Sequence, residues 1–300
     1  MGDQYCFFMK RFFGFVLVLA MGVLVFSCKP KEVAPQEYES VLLSDMQFES
    51  AFLEDSIARF NIYLPADYAV SGKKYPVLYL LHGVTDDHSA WNAKGKVKEI
   101  TDKAIKEGII DPFIIVMPDG FNCFYINGAK VVDGKKKGND WENYYWRELR
   151  PHIEKFYPVK KGRENTAVAG DSMGGYGAIY YAFNYPSRFG FCYSMSAAVD
   201  NMGIFGNKKV PTLKTIFRNR GYNETFYGKL PRLVMECGKS DILAKGYNES
   251  THRFLDSVKF PHTYNRVNGG HDWKFWRGSY ERMLPLLATH FGKEKKTEDN

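Results

Sequence analysis

Residues 166–177 read Thr-Ala-Val-Ala-Gly-Asp-Ser-Met-Gly-Gly-Tyr-Gly, and this stretch decides the fold. The apolar run Thr166–Ala169 is typical of a buried strand, and Gly174–Tyr185 has helical character. Between them, glycines two positions either side of Ser172 form a GxSxG pattern, which places a serine on a tight strand-to-helix turn. Larger residues at those glycines would collide with neighbouring backbone. The stretch therefore predicts a nucleophilic serine held over the end of a sheet.

The rest of the chain alternates apolar runs with helical stretches. Continuous apolar runs predict strands at Pro76–Leu81, Phe113–Met117, Phe191–Met195 and Leu233–Cys237, and His262–Val267 is a further strand-like stretch. Further helical patterns cover Val97–Glu107, Trp141–Phe156 and Tyr247–Val258. Upstream, Phe48–Leu64 alternates and predicts two antiparallel edge strands. Together these patterns predict an α/β fold with a mostly parallel central sheet and helices on both faces.

A serine nucleophile needs a base to take its proton. Of the four histidines after Ser172, His252 and His290 fall in helical patterns and His262 opens a strand, so structural roles are expected for them. His271 lies in a glycine-containing loop that follows a predicted strand. A loop in that place can carry the imidazole back to the serine, so His271 is the predicted base.

The base needs a carboxylate that holds its tautomer and stabilises the imidazolium. Asp241 follows the run Leu233–Cys237 directly and is the predicted acid, with Asp200 as the alternative. Asp272, next to the histidine, is expected to cap its own loop instead.

Backbone amides beside the serine should stabilise a developing oxyanion. The Met173 amide stands at the start of the helix, where the helix dipole favours negative charge. The second donor is expected from the loop after an early strand, with Val84 as first choice and Gly83 as second. His82 in the same loop is expected to hydrogen-bond within it.

The first residues predict export. Lys10 and Arg11 precede the apolar run Phe12–Phe26, and Ser27-Cys28 follows it, which resembles a bacterial lipoprotein processing site. The predicted organisation is a signal peptide at 1–27, a lipid on Cys28, a tether at 28–40, a catalytic domain at 41–292 and a charged tail at 293–300. An ordinary signal or anchor helix that happens to end in cysteine is the alternative.

The composition of the chain narrows the range of possible functions. The 300 residues are 45% hydrophobic, which suits one sizeable core, and the net charge of +7 arises from scattered lysines and short lysine runs. No zinc-finger, Walker or dinucleotide-binding pattern occurs, so no nucleic acid, metal or organic cofactor is expected. Of the cysteines, Cys192 and Cys237 lie in apolar runs and are predicted to be buried free thiols.

Several segments together resemble the putative esterase family of α/β-hydrolases, which includes esterase D, feruloyl esterases, acetyl xylan esterases and bacterial mycolyltransferases. The segments are IYLPADY, YPVLYLLHG, IIVMPDG, AGDSMGGYGA, ECGKSD and NGGHDWKFW, between about Arg59 and Trp276. The resemblance implies an α/β-hydrolase fold, a triad of Ser172, Asp241 and His271, and an oxyanion hole formed by the Gly83–Val84 and Met173 amides.

Two long segments, Phe121–Asp140 and Asn201–Pro231, are predicted loops that overhang the triad. Phe124, Tyr125 and Trp273 are the predicted substrate-binding residues, although such aromatic residues could equally cover the sheet edge. The expected function is hydrolysis of feruloyl or acetyl esters on polysaccharides or their fragments. The alternatives are an acyltransferase, an S-formylglutathione hydrolase-like esterase and a non-catalytic carbohydrate-binding lipoprotein.

Overall fold

An eight-stranded sheet is the centre of the computed structural model, which describes residues 38–128, 130–132, 135–198 and 210–292. The strands of the chain are β1 (Val41–Glu49), β2 (Ile57–Leu64), β3 (Val77–Leu81), β4 (Ile114–Pro118), β5 (Lys130–Val132), β6 (Lys135–Lys137), β7 (Thr166–Asp171), β8 (Phe191–Met195), β9 (Arg232–Gly238) and β10 (His262–Val267). The order across the sheet is β1-β2-β4-β3-β7-β8-β9-β10. The pairs β1–β2 and β2–β4 are antiparallel and the others are parallel. The predicted sheet is thereby confirmed.

Helices cover both faces of this sheet. They are α1 (Ala90–Ala93), α2 (Val97–Lys106), α3 (Trp141–Asn143), α4 (Arg150–Phe156), α5 (Met173–Asn184), α6 (Leu213–Arg220), α7 (Lys245–Ser257) and α8 (Trp273–His290). Buried residues of α1, α2 and α8 belong to one apolar cluster, and those of α3 to α7 belong to the other. The predicted arrangement of helices on both faces is confirmed.

Strand β3 shows why the sheet separates two cores. Its five residues are all buried. Val77, Tyr79 and Leu81 belong to one apolar cluster, whereas Leu78 and Leu80 belong to the other. Successive side chains of a strand point to opposite faces, so a strand between two helical layers must be apolar at every position. The continuous apolar runs of the sequence have this physical cause.

The first strand begins earlier than the sequence indicated. The alternation over Phe48–Leu64 predicted two strands, but β1 already begins at Val41 and a bulge falls between Leu43 and Met46. An extra residue in a bulge shifts side chains to the other face, so the alternation of period two is lost there. β1 is also an edge strand with exposed positions, which weakens its apolar signal.

The predicted helix Trp141–Phe156 is helical throughout but contains a π-helical turn at Tyr144–Leu149. Pro151 lies in the first turn of α4. Because proline has no backbone N–H, it cannot donate to the carbonyl of the preceding turn, and the hydrogen-bond pattern changes at this point.

The two segments predicted as loops contain regular structure. The hairpin β5–β6 lies within Phe121–Asp140, and α6 with a 3₁₀ turn at Glu224–Lys229 lies within Asn201–Pro231. Cys28, Asp200 and the predicted tail lie outside the described residues. Within those residues, no helix is both long and apolar enough to cross a membrane.

The two cysteines that were predicted to be buried free thiols both lie within the described residues. Cys192 and Cys237 are buried and free, as predicted. Burial raises the pKa of Cys237 to about 12, so this thiol stays protonated at neutral pH.

Glycines let helix α5 approach the end of β3 closely. A Cβ on Gly174 would collide with the Leu81 carbonyl and lie 2.7 Å from the carbonyl oxygen of His82. A Cβ on Gly170 would lie 2.6 Å from the same Leu81 oxygen. These neighbours are backbone atoms of a central strand and the loop after it, so they cannot move aside cheaply. The glycines of the GxSxG pattern are therefore required by the contact between β3 and α5.

Gly174→Ala should lower the free energy of unfolding by about 1–3 kcal/mol, because the new methyl group overpacks this contact. Gly246→Ala in α7 is the matched control, since nothing lies within 4 Å of a Cβ there. The control should keep or slightly raise stability. Urea denaturation measures both, and equal stabilities would contradict the packing account.

Candidate active site

Ser172 occupies a strained turn between β7 and α5. Its backbone has φ 50° and ψ −116°, a conformation that residues with a Cβ rarely adopt. Two hydrogen bonds hold it to the end of β8 and the segment that follows: the Ser172 N–H donates to the Met195 carbonyl at 2.8 Å, and the Ala198 N–H donates to the Ser172 carbonyl at 3.0 Å. The serine is consequently fixed at the carboxyl end of the parallel strands, where sites of open α/β sheets lie.

The structure brings together the three residues proposed as a triad. His271 Nε2 lies 2.8 Å from Ser172 Oγ, and His271 Nδ1 lies 2.9 Å from Asp241 Oδ2. A carboxylate can only accept, so Nδ1 carries the proton and donates to Asp241. In the neutral ring, Nε2 is then the acceptor for the Ser172 hydroxyl. This arrangement can remove the hydroxyl proton during attack on a carbonyl.

Asp241 is held in its ionised form. The Leu243 and Ala244 amides donate to its Oδ1 at 3.1 and 2.8 Å. Burial raises the pKa of Asp241, but hydrogen bonds from His271 and the Ala244 amide outweigh burial and leave it below the usual value. A permanently charged Asp241 fixes the His271 tautomer and stabilises an imidazolium.

The loop after β3 is fixed by buried hydrogen bonds. His82 Nδ1 donates to the Gly83 carbonyl at 2.7 Å, and the Gly120 amide donates to His82 Nε2 at 2.7 Å. The indole of Trp91 donates to the Leu81 carbonyl at 3.0 Å. His82 thus has the structural role expected for it, and the loop that carries Val84 is held rigidly beside the serine.

Two backbone amides flank Ser172 without partners. The N–H groups of Val84 and Met173 donate no hydrogen bond to any other residue in the described part of the chain. The Gly83 amide approaches the Asp171 carboxyl closely enough to lower its pKa, although without good hydrogen-bond geometry. Val84 is thus better placed than Gly83 to act as the second oxyanion donor.

Asp171, directly before the serine, is fully buried and neither of its carboxyl oxygens has a hydrogen-bond partner among the described residues. A Cβ on Gly83 would lie 2.6 Å from Asp171 Oδ2, so the carboxyl packs directly beneath the oxyanion loop. Burial, with a smaller contribution from Asp86, raises the pKa of Asp171 well above the usual range. Burial therefore favours the protonated, uncharged form of this carboxyl, a property that the sequence alone did not reveal.

One of the predicted substrate contacts is wrong. Tyr125 is only 1% exposed, because its ring fills the space left by Gly120 and Gly177. Its hydroxyl donates to the His82 carbonyl at 3.1 Å. With no surface available to a ligand, Tyr125 supports the oxyanion loop from below.

The other two predicted contacts differ from each other. Phe124 is 3% exposed, and its backbone amide contacts Met173 Sδ at 3.4 Å, so it mainly packs behind the helix start. Trp273 is partly exposed, and its indole donates to Asp86 Oδ2 at 3.2 Å. Trp273 therefore remains a candidate for substrate contact.

Two residues that support the active site were not predicted from the sequence. Asn122 Oδ1 accepts from the Thr85 amide at 2.8 Å and ties the segment after β4 to the oxyanion loop. Trp276 packs edge-on against the His271 ring, with centroids 5.1 Å apart. Asn122 acts on Thr85, which is 37 residues away, and Trp276 acts through a ring contact with His271 that the sequence does not show.

Comparison with known proteins identifies the family. Residues 50–287 match the family model described as Putative esterase, and the chain belongs to that family. A solved ferulic acid esterase superposes with a TM-score of 0.72 at 27% identity, covering 85% of this chain and 100% of that one. The predicted family and α/β-hydrolase fold are thus confirmed, and the fold and family are those of serine esterases.

Two curated relatives show how far the similarity reaches. An endo-1,4-beta-xylanase/feruloyl esterase of Xylanibacter ruminicola is 38% identical over 135 residues, which cover 44% of this chain and 18% of that protein. This chain therefore spans less than a fifth of that relative's length. An acetyl esterase of Caldicellulosiruptor saccharolyticus is 24% identical over 231 residues, which cover 69% of this chain and 81% of that protein.

Asp171→Asn should change how stability depends on pH. The raised pKa means that folded wild-type protein retains a proton that the unfolded chain loses above about pH 4. Wild-type stability therefore falls as pH rises from the unfolded pKa towards the folded one, and an uncharged amide removes this loss. The variant's stability relative to wild type should increase between about pH 5 and pH 8.

Urea denaturation across that pH range measures the effect. Glu107→Gln, at an exposed carboxyl, is the control and should show a flat difference. A flat difference for Asp171→Asn as well would mean that its carboxyl ionises normally in the folded protein.

Proposed function

We propose that the protein hydrolyses carboxylic esters through an acyl-enzyme on Ser172, with His271 as general base and Asp241 as its orienting acid. The observation that carries this proposal is the unbroken hydrogen-bonded chain from Asp241 through His271 to Ser172, with distances of 2.9 and 2.8 Å. It stands at the end of a parallel sheet in a chain that belongs to an esterase family.

The first half of the reaction forms the acyl-enzyme. Ser172 Oγ attacks the ester carbonyl carbon while its proton passes to His271 Nε2. The carbonyl oxygen becomes an oxyanion that the Val84 and Met173 amides stabilise. When the tetrahedral intermediate collapses, the bond to the alcohol oxygen breaks and His271 returns the proton to the departing alcohol.

The second half repeats these steps with water. Water gives its proton to His271 Nε2 and attacks the acyl carbonyl, and collapse releases the carboxylic acid and restores the Ser172 hydroxyl. Asp241 stays ionised throughout and compensates the positive imidazolium in both halves. Neither half uses a metal or an organic cofactor.

Feruloyl or acetyl esters on polysaccharides or their fragments are the proposed substrates. The similarity to a xylanase/feruloyl esterase and to an acetyl esterase supports this class. Trp273 supports it as well, because it is a partly exposed indole at the start of α8, two residues after His271, where an aromatic acyl group could pack. A sugar hydroxyl in place of water would instead make the protein an acyltransferase.

The proposed location is a bacterial envelope membrane. The basic residues Lys10 and Arg11, the apolar run Phe12–Phe26 and the Ser27-Cys28 pair support removal of residues 1–27 and lipidation of Cys28. The polar residues that follow would then act as a tether between lipid and domain.

Purified protein should hydrolyse methyl ferulate or acetylated xylan as well as p-nitrophenyl acetate. Ser172→Ala should lower each rate on the order of 10⁴-fold or more, because the triad acts as a unit. Ser257→Ala, at an exposed hydroxyl on α7, is the control and should retain full activity. Steady-state assays with the three esters measure these rates.

The same assays separate the competing functions. Turnover of aryl acetates with methyl ferulate and acetylated xylan both left intact would reject the proposed substrate class. Acyl transfer to an added oligosaccharide that outpaces release of free acid would identify a transferase. Equal inactivity of wild type and Ser172→Ala would favour a binding protein.

Cys28→Ala should abolish lipidation. In bacteria grown with a radiolabelled fatty acid, the wild-type chain should carry label and fractionate with membranes, whereas the variant should carry none. Cys6→Ala is the matched control, because Cys6 lies within the proposed signal peptide and should not matter. Equal labelling of wild type and Cys28→Ala would contradict the proposal.

A further inference from the structure

Three side chains of the kinds that can bind a metal meet at the opposite end of the sheet from the triad. His252 and Asp256 are four residues apart on α7, and His262 is the first residue of β10. One ligand atom from each of the three lies within 4.8 Å of the others. His271 follows the far end of β10, which is about 20 Å long. The mechanism proposed for ester hydrolysis therefore does not involve this cluster.

Hydrogen bonds determine which ring nitrogen of His262 has a lone pair that could bind a metal ion. Its Nδ1 lies 2.8 Å from the Phe260 carbonyl oxygen, which can only accept, so Nδ1 carries the proton. In the neutral ring, Nε2 then presents its lone pair to His252 Nδ1 at 2.8 Å. Metal-ligating histidines are commonly oriented by such a bond from the opposite ring nitrogen to a carbonyl.

The distances between the side chains suit a small tetrahedral ion. Ligand atoms about 2.0–2.1 Å from zinc in tetrahedral geometry are separated by about 3.4 Å. Asp256 Oδ2 lies 3.4 Å from His252 Nε2, and Asp256 Oδ1 lies 3.9 Å from His262 Nε2. Small rotations of the exposed Asp256 and the partly exposed His252 would bring one atom of each to the ion. The exposure of Asp256 also gives the ion a path from solvent.

We propose that His252, Asp256 and His262 form a zinc site that links the end of α7 to the start of β10. Two imidazoles and one carboxylate are ligands that zinc accepts, with water completing the tetrahedron. Magnesium and calcium prefer all-oxygen sites and should not compete. The bound ion would replace the hydrogen bond between the two imidazoles and fasten together two elements that a short turn connects in sequence.

The test is zinc binding by the full chain, purified without a polyhistidine tag and stripped with a chelator. Isothermal titration with zinc chloride should show one site that disappears, or weakens at least about tenfold, in His262→Gln and in Asp256→Asn. Asp256 is exposed, so Asp256→Asn should keep the fold even if His262→Gln does not. Zinc should raise the melting temperature of wild type by a few degrees, and magnesium should not.

Two controls locate the ion. Arg253→Gln changes a neighbouring exposed residue on α7 that is not a ligand and should bind zinc like wild type. His271→Gln removes any zinc held at the triad and should retain the proposed site. No zinc binding by wild type, or unchanged affinity in Asp256→Asn, would overturn the proposal, as would loss of the site in His271→Gln.

Discussion

The strained backbone of Ser172 is the constraint on which the rest of the site depends. A residue with a Cβ keeps φ near 50° only where its surroundings hold it there. The Met195 carbonyl and the Ala198 amide hold the serine from the side of β8. From the other side, Gly174 lets α5 rest against the end of β3. The nucleophile, the helix start and the oxyanion loop thus share one rigid junction.

Buried polar groups make this junction stiff. The Asp171 carboxyl packs beneath Gly83, and His82 joins the Gly83 carbonyl to the Gly120 amide. Asn122 fastens the next residues of the same loop through the Thr85 amide. Amides held in this way need little reorganisation when negative charge develops, which is how preorganised donors stabilise an oxyanion. A buried carboxyl without a hydrogen-bond partner among the described residues, such as that of Asp171, lowers the stability of the fold. In return, its packing beneath Gly83 helps to hold the oxyanion loop rigidly in place.

The sequence predicted β3, β4, β7, β8 and β9 well because their residues are almost all buried beneath helices on both faces and are therefore mostly apolar. It also pointed to Ser172, Asp241 and His271, since each follows a recognisable strand. It misjudged β1, where a bulge at an exposed edge disrupts alternation, and Tyr125, whose burial depends on glycines far away along the chain. The raised pKa of the Asp171 carboxyl likewise arises only when distant segments meet around it.

The central claim is that Ser172 becomes acylated during ester hydrolysis. Its most direct test is to quench the enzyme with acid during turnover of an activated aryl ester and to map the protein by mass spectrometry. The account predicts one acyl group per chain, on the peptide that contains Ser172, and no acylated peptide in the Ser172→Ala variant. Acylation of a different residue, or turnover without any acylated peptide, would contradict it.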